Sequence, residues 1–279
     1  MISRFRLVTT CSLSLILCWM VTENRLLSDD ALSNHNVKTH RLHSESQRTE
    51  TVVHVLVPDH FDAEKTYPVL YILPVEPGTG TRWGSSLQES IKENLANRFE
   101  IICVFPTFSD LPWYAEHPTD SKLQQETYFI KEILPLVEKE YPVSRNSVDR
   151  YLVGFSKSGW GAWSLLLRHP ELFHKAMAWD APLMLDHPGP YGTEPIFGTE
   201  ENFKEYQLTE LLKSNRKTFQ QQPRLYHWGY DAFRMQHEAM NKLLQQLEIK
   251  SVYRDGPQRK HHWESGWLGD AVELLLKTD

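Results

Sequence analysis

Short apolar runs, each bounded by proline or polar residues, recur along the chain and predict β-strands. The runs are rich in Val, Ile, Leu and aromatic residues. They cover residues 51–58, 67–73, 100–106, 149–155, 175–180, 223–229 and 249–254. A short connection joins the first two, which are therefore predicted to form an antiparallel hairpin at the edge of a sheet.

Longer segments between these runs have apolar residues at helical spacing. In the segment 121–141 the residues near one face are Tyr128, Ile130, Ile133, Leu134 and Val137. In the segment 231–247 they are Phe233, His237, Met240, Leu243, Leu244 and Leu247. Strands that alternate with helices predict an α/β fold, with a mainly parallel sheet covered by helices on both faces.

The size and charge of the chain limit its class. The 279 residues are 41% hydrophobic, which is enough for one sizeable core, and a single domain is predicted over residues 36–279. The formal net charge of −6 argues against a nucleic-acid-binding protein. The sequence has neither an H-E-x-x-H motif nor a Cys/His cluster, so neither a metal nor another cofactor is expected.

The N-terminus has the pattern of a targeting segment. Arg4 and Arg6 precede an apolar run over residues 7–21, which is of signal-peptide length and shorter than a typical membrane span. Residues 1–22 are predicted to be a signal peptide or membrane anchor, and residues 23–35 a polar linker. A secreted or periplasmic protein is expected, with membrane contact only through that anchor. Cys103, in an apolar strand, is expected in the core.

Ser156 is the candidate nucleophile. It follows the predicted strand 149–155 and precedes a helical pattern, within the run Gly-Phe-Ser-Lys-Ser over residues 154–158. A serine on a sharp strand-to-helix turn exposes its hydroxyl, and the next backbone N–H, that of Lys157, points into the same space. Serine is also a favoured helix cap, so Ser156 could simply cap the helix.

Partners for such a serine follow in the order acid, then histidine, as in G-x-S-x-G hydrolases. Asp231 comes two residues after Gly229, at the end of a predicted strand, and is the preferred acid. Asp180 also ends a predicted strand and is the alternative. His261 and His262 lie in a loop before the last helix, where a rigid scaffold can direct a catalytic base.

From about residue 37 to the C-terminus the chain resembles the putative-esterase (esterase D-like) family of α/β-hydrolases. The similar segments are YPVLYIL (67–73), PWYAEHP (112–118), the stretch 128–173 around Ser156, and HHW (261–263). The resemblance implies an α/β-hydrolase fold and serine-hydrolase chemistry, and its H-x-W motif favours His261 over His262. It also implies that an N–H of Val75 or Glu76 helps to bind the oxyanion.

Two positions depart from that family pattern. Ser158 stands where the elbow motif has glycine, and LPVEPGTG (73–80) stands where the family commonly has a His-Gly-Gly run. Glu76 could therefore bring a negative charge towards a developing oxyanion.

The expected function is that of an exported serine esterase, which hydrolyses a carboxylic ester through an acyl-enzyme. A small-molecule or glycan ester is the expected substrate. Trp113, Trp160 and Trp263 lie near the catalytic segments in sequence and could stack on it. The alternatives are an acyltransferase that uses the same three residues and a non-catalytic binding protein on a hydrolase scaffold.

Overall fold

The computed structural model describes residues 35–229 and 231–277. Residues 1–34, which carry the predicted signal peptide or anchor and all but the last residue of the predicted linker, lie outside the described residues. Among the described residues, no helix is both long enough and apolar enough to span a membrane.

Eight strands form one sheet in the order β1-β2-β4-β3-β5-β6-β7-β8. Their bounds are β1 Val37–Ser44, β2 Thr49–Leu56, β3 Val69–Leu73, β4 Ile102–Pro106, β5 Arg150–Phe155, β6 Lys175–Trp179, β7 Leu225–Trp228 and β8 Ser251–Arg254. From β4 to β8 all neighbouring strands are parallel, as the alternation of strands and helices predicts.

Ten α-helices accompany the sheet in the described part of the chain. Their bounds are α1 Ser86–Lys92, α2 Leu95–Phe99, α3 Gln125–Thr127, α4 Leu134–Glu140, α5 Lys157–Arg168, α6 Glu194–Phe197, α7 Glu200–Tyr206, α8 Leu208–Ser214, α9 Arg234–Gln246 and α10 Leu268–Lys277. A π-helix, Tyr128–Ile133, joins α3 to α4. Short 3-10 turns occur at Ser147–Asp149, Pro190–Gly192 and Arg216–Phe219.

The predicted edge hairpin is wrong in its pairing. β2 pairs antiparallel with β1, a strand that the apolar pattern does not predict, and on its other side with β4. β3, which was expected to be the hairpin partner of β2, lies inside the sheet between β4 and β5. The hairpin therefore comprises residues 37–56.

Two buried apolar clusters cover the two faces of the sheet, as an α/β fold requires. Cys103, on β4, is fully buried in one of them, which confirms its expected place in the core. The crossover helix α5 packs between the sheet and α8 and brings its first turn to the carboxyl end of β5. In an open α/β sheet this edge is where ligands bind.

Candidate active site

Ser156 occupies a strained turn between β5 and α5. Its φ of 53° and ψ of −128° lie outside the regions that non-glycine residues favour, a conformation that costs on the order of 1–3 kcal/mol. The side chain is half-buried and makes no capping hydrogen bond to the helix, so the turn is not explained by capping. Strain of this kind is typical of a nucleophile elbow.

The turn is tight because α5 crosses close above β5. A Cβ atom on Gly154 would lie 2.0 Å from the carbonyl oxygen of Ser158, and one on Gly159 would lie 2.8 Å from the Cβ atom of Ala181. Only glycine fits at these two positions without a shift of the backbone. Ser158 itself fits: its hydroxyl accepts a hydrogen bond from the Phe155 N–H (3.0 Å) and donates one to the Phe155 carbonyl (2.9 Å).

His261 lies beside this turn. Its ring packs over Phe155, the residue before Ser156, with the ring centroids 4.4 Å apart. Trp83 and Phe233 contact it with centroid distances of 5.5 and 5.7 Å. Within the described residues the Ser156 hydroxyl makes no hydrogen bond, and such bonds often form only in a substrate complex.

The structure pairs His261 with Asp180. The Nδ1 atom of His261 lies 2.5 Å from Oδ2 of Asp180, which directly follows β6 and is fully buried. The backbone N–H groups of Phe233 (2.8 Å) and Ala232 (3.3 Å) also donate to this carboxylate. Burial alone would raise the pKa of Asp180, but the hydrogen bonds from His261 and Phe233 outweigh it and leave that pKa below its ordinary value.

This arrangement corrects the predicted pairing of His261 with Asp231. The Asp231 side chain is exposed, at a surface depression that Lys260 and His262 also line. The turn that contains Asp231 does contribute to the site, but through the backbone N–H groups of the next two residues. The alternative acid, Asp180, is the one that the fold brings to His261.

The two neighbouring histidines have different environments. His262 accepts a hydrogen bond from the Glu264 N–H, and its ring lies where a Cβ atom of Gly84 would be. Asp180 has a hydrogen bond to His261 and none to His262 among the described residues. The loop is held in place by the Trp263 N–H, which donates to the Trp83 carbonyl, and by the Gly266 N–H, which donates to buried Glu89.

A buried histidine pair lies beneath Asp180. Nε2 of His237 accepts a hydrogen bond from the Ala181 N–H (2.8 Å), and its Nδ1 lies 3.2 Å from Nδ1 of His227. An accepting Nε2 carries no proton, so these bonds assign the His237 proton to Nδ1 and the His227 proton to Nε2. A Cβ atom on Gly229 would lie 2.1 Å from the His237 ring, so glycine is needed beside the pair.

The backbone N–H groups of Val75, Glu76 and Lys157, near Ser156, have no hydrogen-bond acceptor among the described residues. These are the groups that the sequence predicts for the oxyanion. Val75 is buried, and the Glu76 carboxylate turns along its own loop to accept a hydrogen bond from the Trp83 N–H (3.2 Å). Unpaired donors beside a nucleophile can bind an oxyanion.

The tryptophans that were predicted to bind substrate lie in the core instead. Trp113 and Trp160 are fully buried and pack edge to face, 5.5 Å apart. Trp263 is also buried, against Phe155. Trp83, which is half-buried and contacts the His261 ring, borders the site and was not predicted. Sequence proximity did not separate tryptophans that face the site from those that pack beneath it.

A cavity of about 270 Å³ borders the loop that carries Val75 and Glu76. Val75, Glu76 and Trp263 are among its lining residues, whereas Ser156 and His261 are not. The candidate site is therefore defined by its side-chain geometry and not by this cavity. Within the described residues, no group of three or more His, Cys, Asp or Glu side chains could hold a metal ion.

Known proteins that resemble this chain in sequence or structure include esterases. The family model described as putative esterase matches residues 44–268. An esterase of Mycobacterium tuberculosis, found in two strains, is 29% identical over 137 residues, which are 48% of this chain and 29% of the relative. The chain therefore spans less than a third of the length of that relative.

Solved structures share the fold. A ferulic acid esterase superposes with a TM-score of 0.69 at 21% identity, covering 86% of this chain and 96% of the other. An S-formylglutathione hydrolase from Staphylococcus aureus superposes with a TM-score of 0.68 at 18% identity, covering 86% and 98%. These likenesses confirm the predicted α/β-hydrolase fold.

Proposed function

This chain belongs to the putative-esterase family, and we propose that it is a serine esterase in which Ser156 is the nucleophile, His261 the base and Asp180 the acid. The observation that carries the proposal is the Asp180–His261 hydrogen bond beside the strained Ser156 turn. Because Nδ1 of His261 is bonded to the carboxylate, Nε2 is the ring nitrogen free to take a proton.

Acylation begins when the Ser156 oxygen bonds to the carbonyl carbon of the ester and gives its proton to Nε2 of His261. The carbonyl electron pair moves onto oxygen, and the N–H of Lys157 together with that of Val75 or Glu76 binds this oxyanion. When the intermediate collapses, the bond to the alcohol oxygen breaks and the alkoxide takes the proton from His261. Asp180 stabilises the imidazolium throughout.

Deacylation repeats these steps with water. A water oxygen bonds to the acyl carbon while His261 takes one of its protons. The bond to Ser156 then breaks, the serine oxygen recovers the proton, and the carboxylic acid leaves. No further reactant is required.

The surroundings of His261 favour an ester with an aromatic group. Trp83 and Phe233 contact the histidine ring, and Tyr191, which is 52% exposed, packs edge to face on Phe233 at 5.4 Å. Phe233 is buried, but Trp83 and Tyr191 offer flat apolar surface near the histidine ring. One of the superposed structures is described as a ferulic acid esterase, and ferulic acid carries an aromatic ring.

Fluorophosphonate labelling followed by an ester screen tests the function. The wild-type protein should be labelled at Ser156 and hydrolyse p-nitrophenyl, feruloyl or acetyl-sugar esters. Ser156→Ala should abolish labelling and lower kcat by roughly 10⁴- to 10⁶-fold. Ser251→Ala, on the distant strand β8, is the matched control and should be labelled normally.

Three other outcomes would contradict the nucleophile, the enzymatic activity or the hydrolysis in this proposal. Labelling that persists in Ser156→Ala places the nucleophile elsewhere, and a wild-type protein that is never labelled is a binding protein. Transfer of the acyl group to an added alcohol, in preference to water, makes the enzyme an acyltransferase.

Export is a separate proposal, which rests on Arg4, Arg6 and the apolar run 7–21. N-terminal sequencing of the protein recovered from outside the cytoplasm tests it. A mature N-terminus near residue 23 supports a cleaved signal peptide, whereas full-length protein in the membrane fraction supports an anchor.

A further inference from the structure

We infer that the Tyr114 hydroxyl and the Lys157 ammonium are positioning groups, which hold the two peptide planes that carry the Val75 and Glu76 N–H groups. The inference rests on the proposed function, because it gives a purpose to the unpaired donors of that loop. It assigns a role to the side chain of Lys157 in addition to that of its backbone, and a first role to Tyr114.

Tyr114 fixes the first plane. Its hydroxyl donates a hydrogen bond of 2.7 Å to the carbonyl of Pro74. In a trans peptide the C=O and the following N–H lie in one plane and point in opposite directions. Holding the Pro74 oxygen therefore sets the direction of the Val75 N–H without using that N–H.

Lys157 fixes the second plane in the same way. Its ammonium donates a hydrogen bond of 3.1 Å to the carbonyl of Val75, which sets the direction of the Glu76 N–H. Burial lowers the pKa of Lys157, while the nearby Glu76 carboxylate acts against that shift. The residue that follows the nucleophile thus supplies one oxyanion donor and orients another.

Tyr114 is itself held rigidly. It lies in a left-handed turn with a φ of 58°, and the buried amide oxygen of Gln125 accepts hydrogen bonds from the N–H groups of both Trp113 (2.8 Å) and Tyr114 (2.9 Å). Its ring fills the space above Gly161, where a Cβ atom would lie 2.0 Å from the ring. A strained turn persists only where its surroundings stabilise it, and here it directs a hydroxyl at Pro74.

The Tyr114 hydroxyl remains a donor across the working pH range. The side chain is fully buried, and burial raises the pKa of the phenol well above its ordinary value. A protonated phenol in an apolar environment makes a strong, directed hydrogen bond. The packing of the ring against Gly161 restricts the motion of this donor.

Tyr114→Phe tests the first plane, with Tyr71→Phe as the matched control. Both tyrosines are fully buried, but the Tyr71 hydroxyl has no hydrogen-bond partner among the described residues. Complete loss of one oxyanion donor costs roughly 100- to 1000-fold in rate, and a misdirected donor should cost about 10- to 100-fold. The rate constant for fluorophosphonate labelling and kcat should fall by that factor in Tyr114→Phe, with KM unchanged. Tyr71→Phe should retain wild-type rates.

Lys157→Met and Lys157→Arg test the second plane. Methionine keeps an apolar stem without a donor and should lower kcat with KM unchanged, whereas arginine can still reach the Val75 carbonyl and should restore most of the rate. In all four variants, the loss in kcat/KM should match the loss in affinity for a trifluoromethyl ketone, which forms a tetrahedral oxyanion on Ser156.

Specific results would overturn the inference while leaving the proposed function intact. Wild-type labelling rates in both Tyr114→Phe and Lys157→Met would do so, as would a rise in KM at constant kcat. If thermal unfolding shows that Tyr114→Phe does not fold, the comparison of Lys157→Met with Lys157→Arg alone tests the inference. A wild-type protein that is not labelled at all contradicts the proposed function instead.

Discussion

Nδ1 of His261 and Oδ2 of Asp180 lie 2.5 Å apart, although 81 residues separate them in the sequence. The carboxylate is buried and receives two further hydrogen bonds from the turn after β7. A carboxylate in this setting fixes the histidine tautomer and favours its cationic form during proton transfer. The geometry therefore distinguishes between the two candidate acids.

Exchanging each candidate acid for its amide provides the first test. Asp180→Asn should lower kcat by about 10³- to 10⁴-fold, because an amide at this position favours the wrong histidine tautomer. Asp231→Asn should change kcat by less than about twofold, since the Asp231 side chain is exposed. Steady-state kinetics on one ester, with circular dichroism to check folding, measures both. A large loss in Asp231→Asn with a small one in Asp180→Asn would restore the sequence-based choice.

The sequence could not choose between these acids, because both follow an apolar strand. What differs is the backbone: the N–H groups of Ala232 and Phe233 point at the Asp180 carboxylate and stabilise it where it is buried. The strand-to-helix motif predicted Ser156, and the H-x-W motif favoured His261. The direction of N–H groups in a turn has no signature in residue type, so the pairing of His261 with Asp180 was visible only in three dimensions.

The strands of the sheet were likewise predictable from the sequence only in part. Interior strands were predictable because both faces are buried, whereas β1 was not, since only its first and last residues, Val37 and Ser44, are buried. The single helix predicted over 121–141 is instead α3, a π-helix and α4. Pro135 lies at the start of α4 and has no backbone N–H to donate to the preceding turn. The wider π-helical turn before it accommodates the missing hydrogen bond.

Ser158 should stabilise the elbow that it departs from in sequence. Ser158→Ala removes both hydrogen bonds to the Phe155 backbone and should lower the free energy of unfolding by about 1–3 kcal/mol. Ser164→Ala, in the same helix, is the matched control, because the buried Ser164 hydroxyl has no partner in the described structure and its loss should cost little. Urea unfolding measures both variants, and equal losses would contradict the stabilising role.

The buried histidine pair should make stability depend on pH. Burial lowers the pKa of His237 to about 3, against the opposing charge of Asp180, and lowers that of His227 well below its ordinary value. The unfolded chain therefore takes up protons first. The free energy of unfolding should be constant above about pH 6.5 and fall below it, by up to about 1.4 kcal/mol per pH unit for each histidine.

His237→Gln checks this pH dependence, because glutamine can still accept from the Ala181 N–H but does not titrate. Urea unfolding between about pH 4.5 and 7.5 should give a shallower slope for this variant than for the wild type. His60→Gln, at an exposed position, is the control and should keep the wild-type slope. A wild-type protein whose stability does not change over this range would exclude a neutral buried pair.

Glu76 should have little electrostatic effect on catalysis. Its carboxylate accepts from the Trp83 N–H and lies along the loop that folds back at Gly80, where a Cβ atom would be 3.0 Å from that of Glu76. Glutamine keeps an acceptor oxygen for the Trp83 N–H, so Glu76→Gln should change kcat/KM by less than about threefold. Glu76→Ala leaves that N–H unpaired and should be the more damaging change, because Trp83 contacts the His261 ring.

The direction of any larger effect in Glu76→Gln identifies its cause. A carboxylate about 4 Å from the oxyanion would oppose it by about 1 kcal/mol in water and several times more in a drier site. Since about 1.4 kcal/mol corresponds to each factor of ten, neutralising it would then raise kcat by about fivefold in a wet site and by tenfold or more in a drier one. A loss as large as that of Glu76→Ala would instead mean that the charge itself matters, through the nearby Lys157 ammonium. Pre-steady-state acylation rates separate these cases by sign: relief of repulsion speeds formation of the oxyanion, whereas a donor that is no longer held by Lys157 slows it.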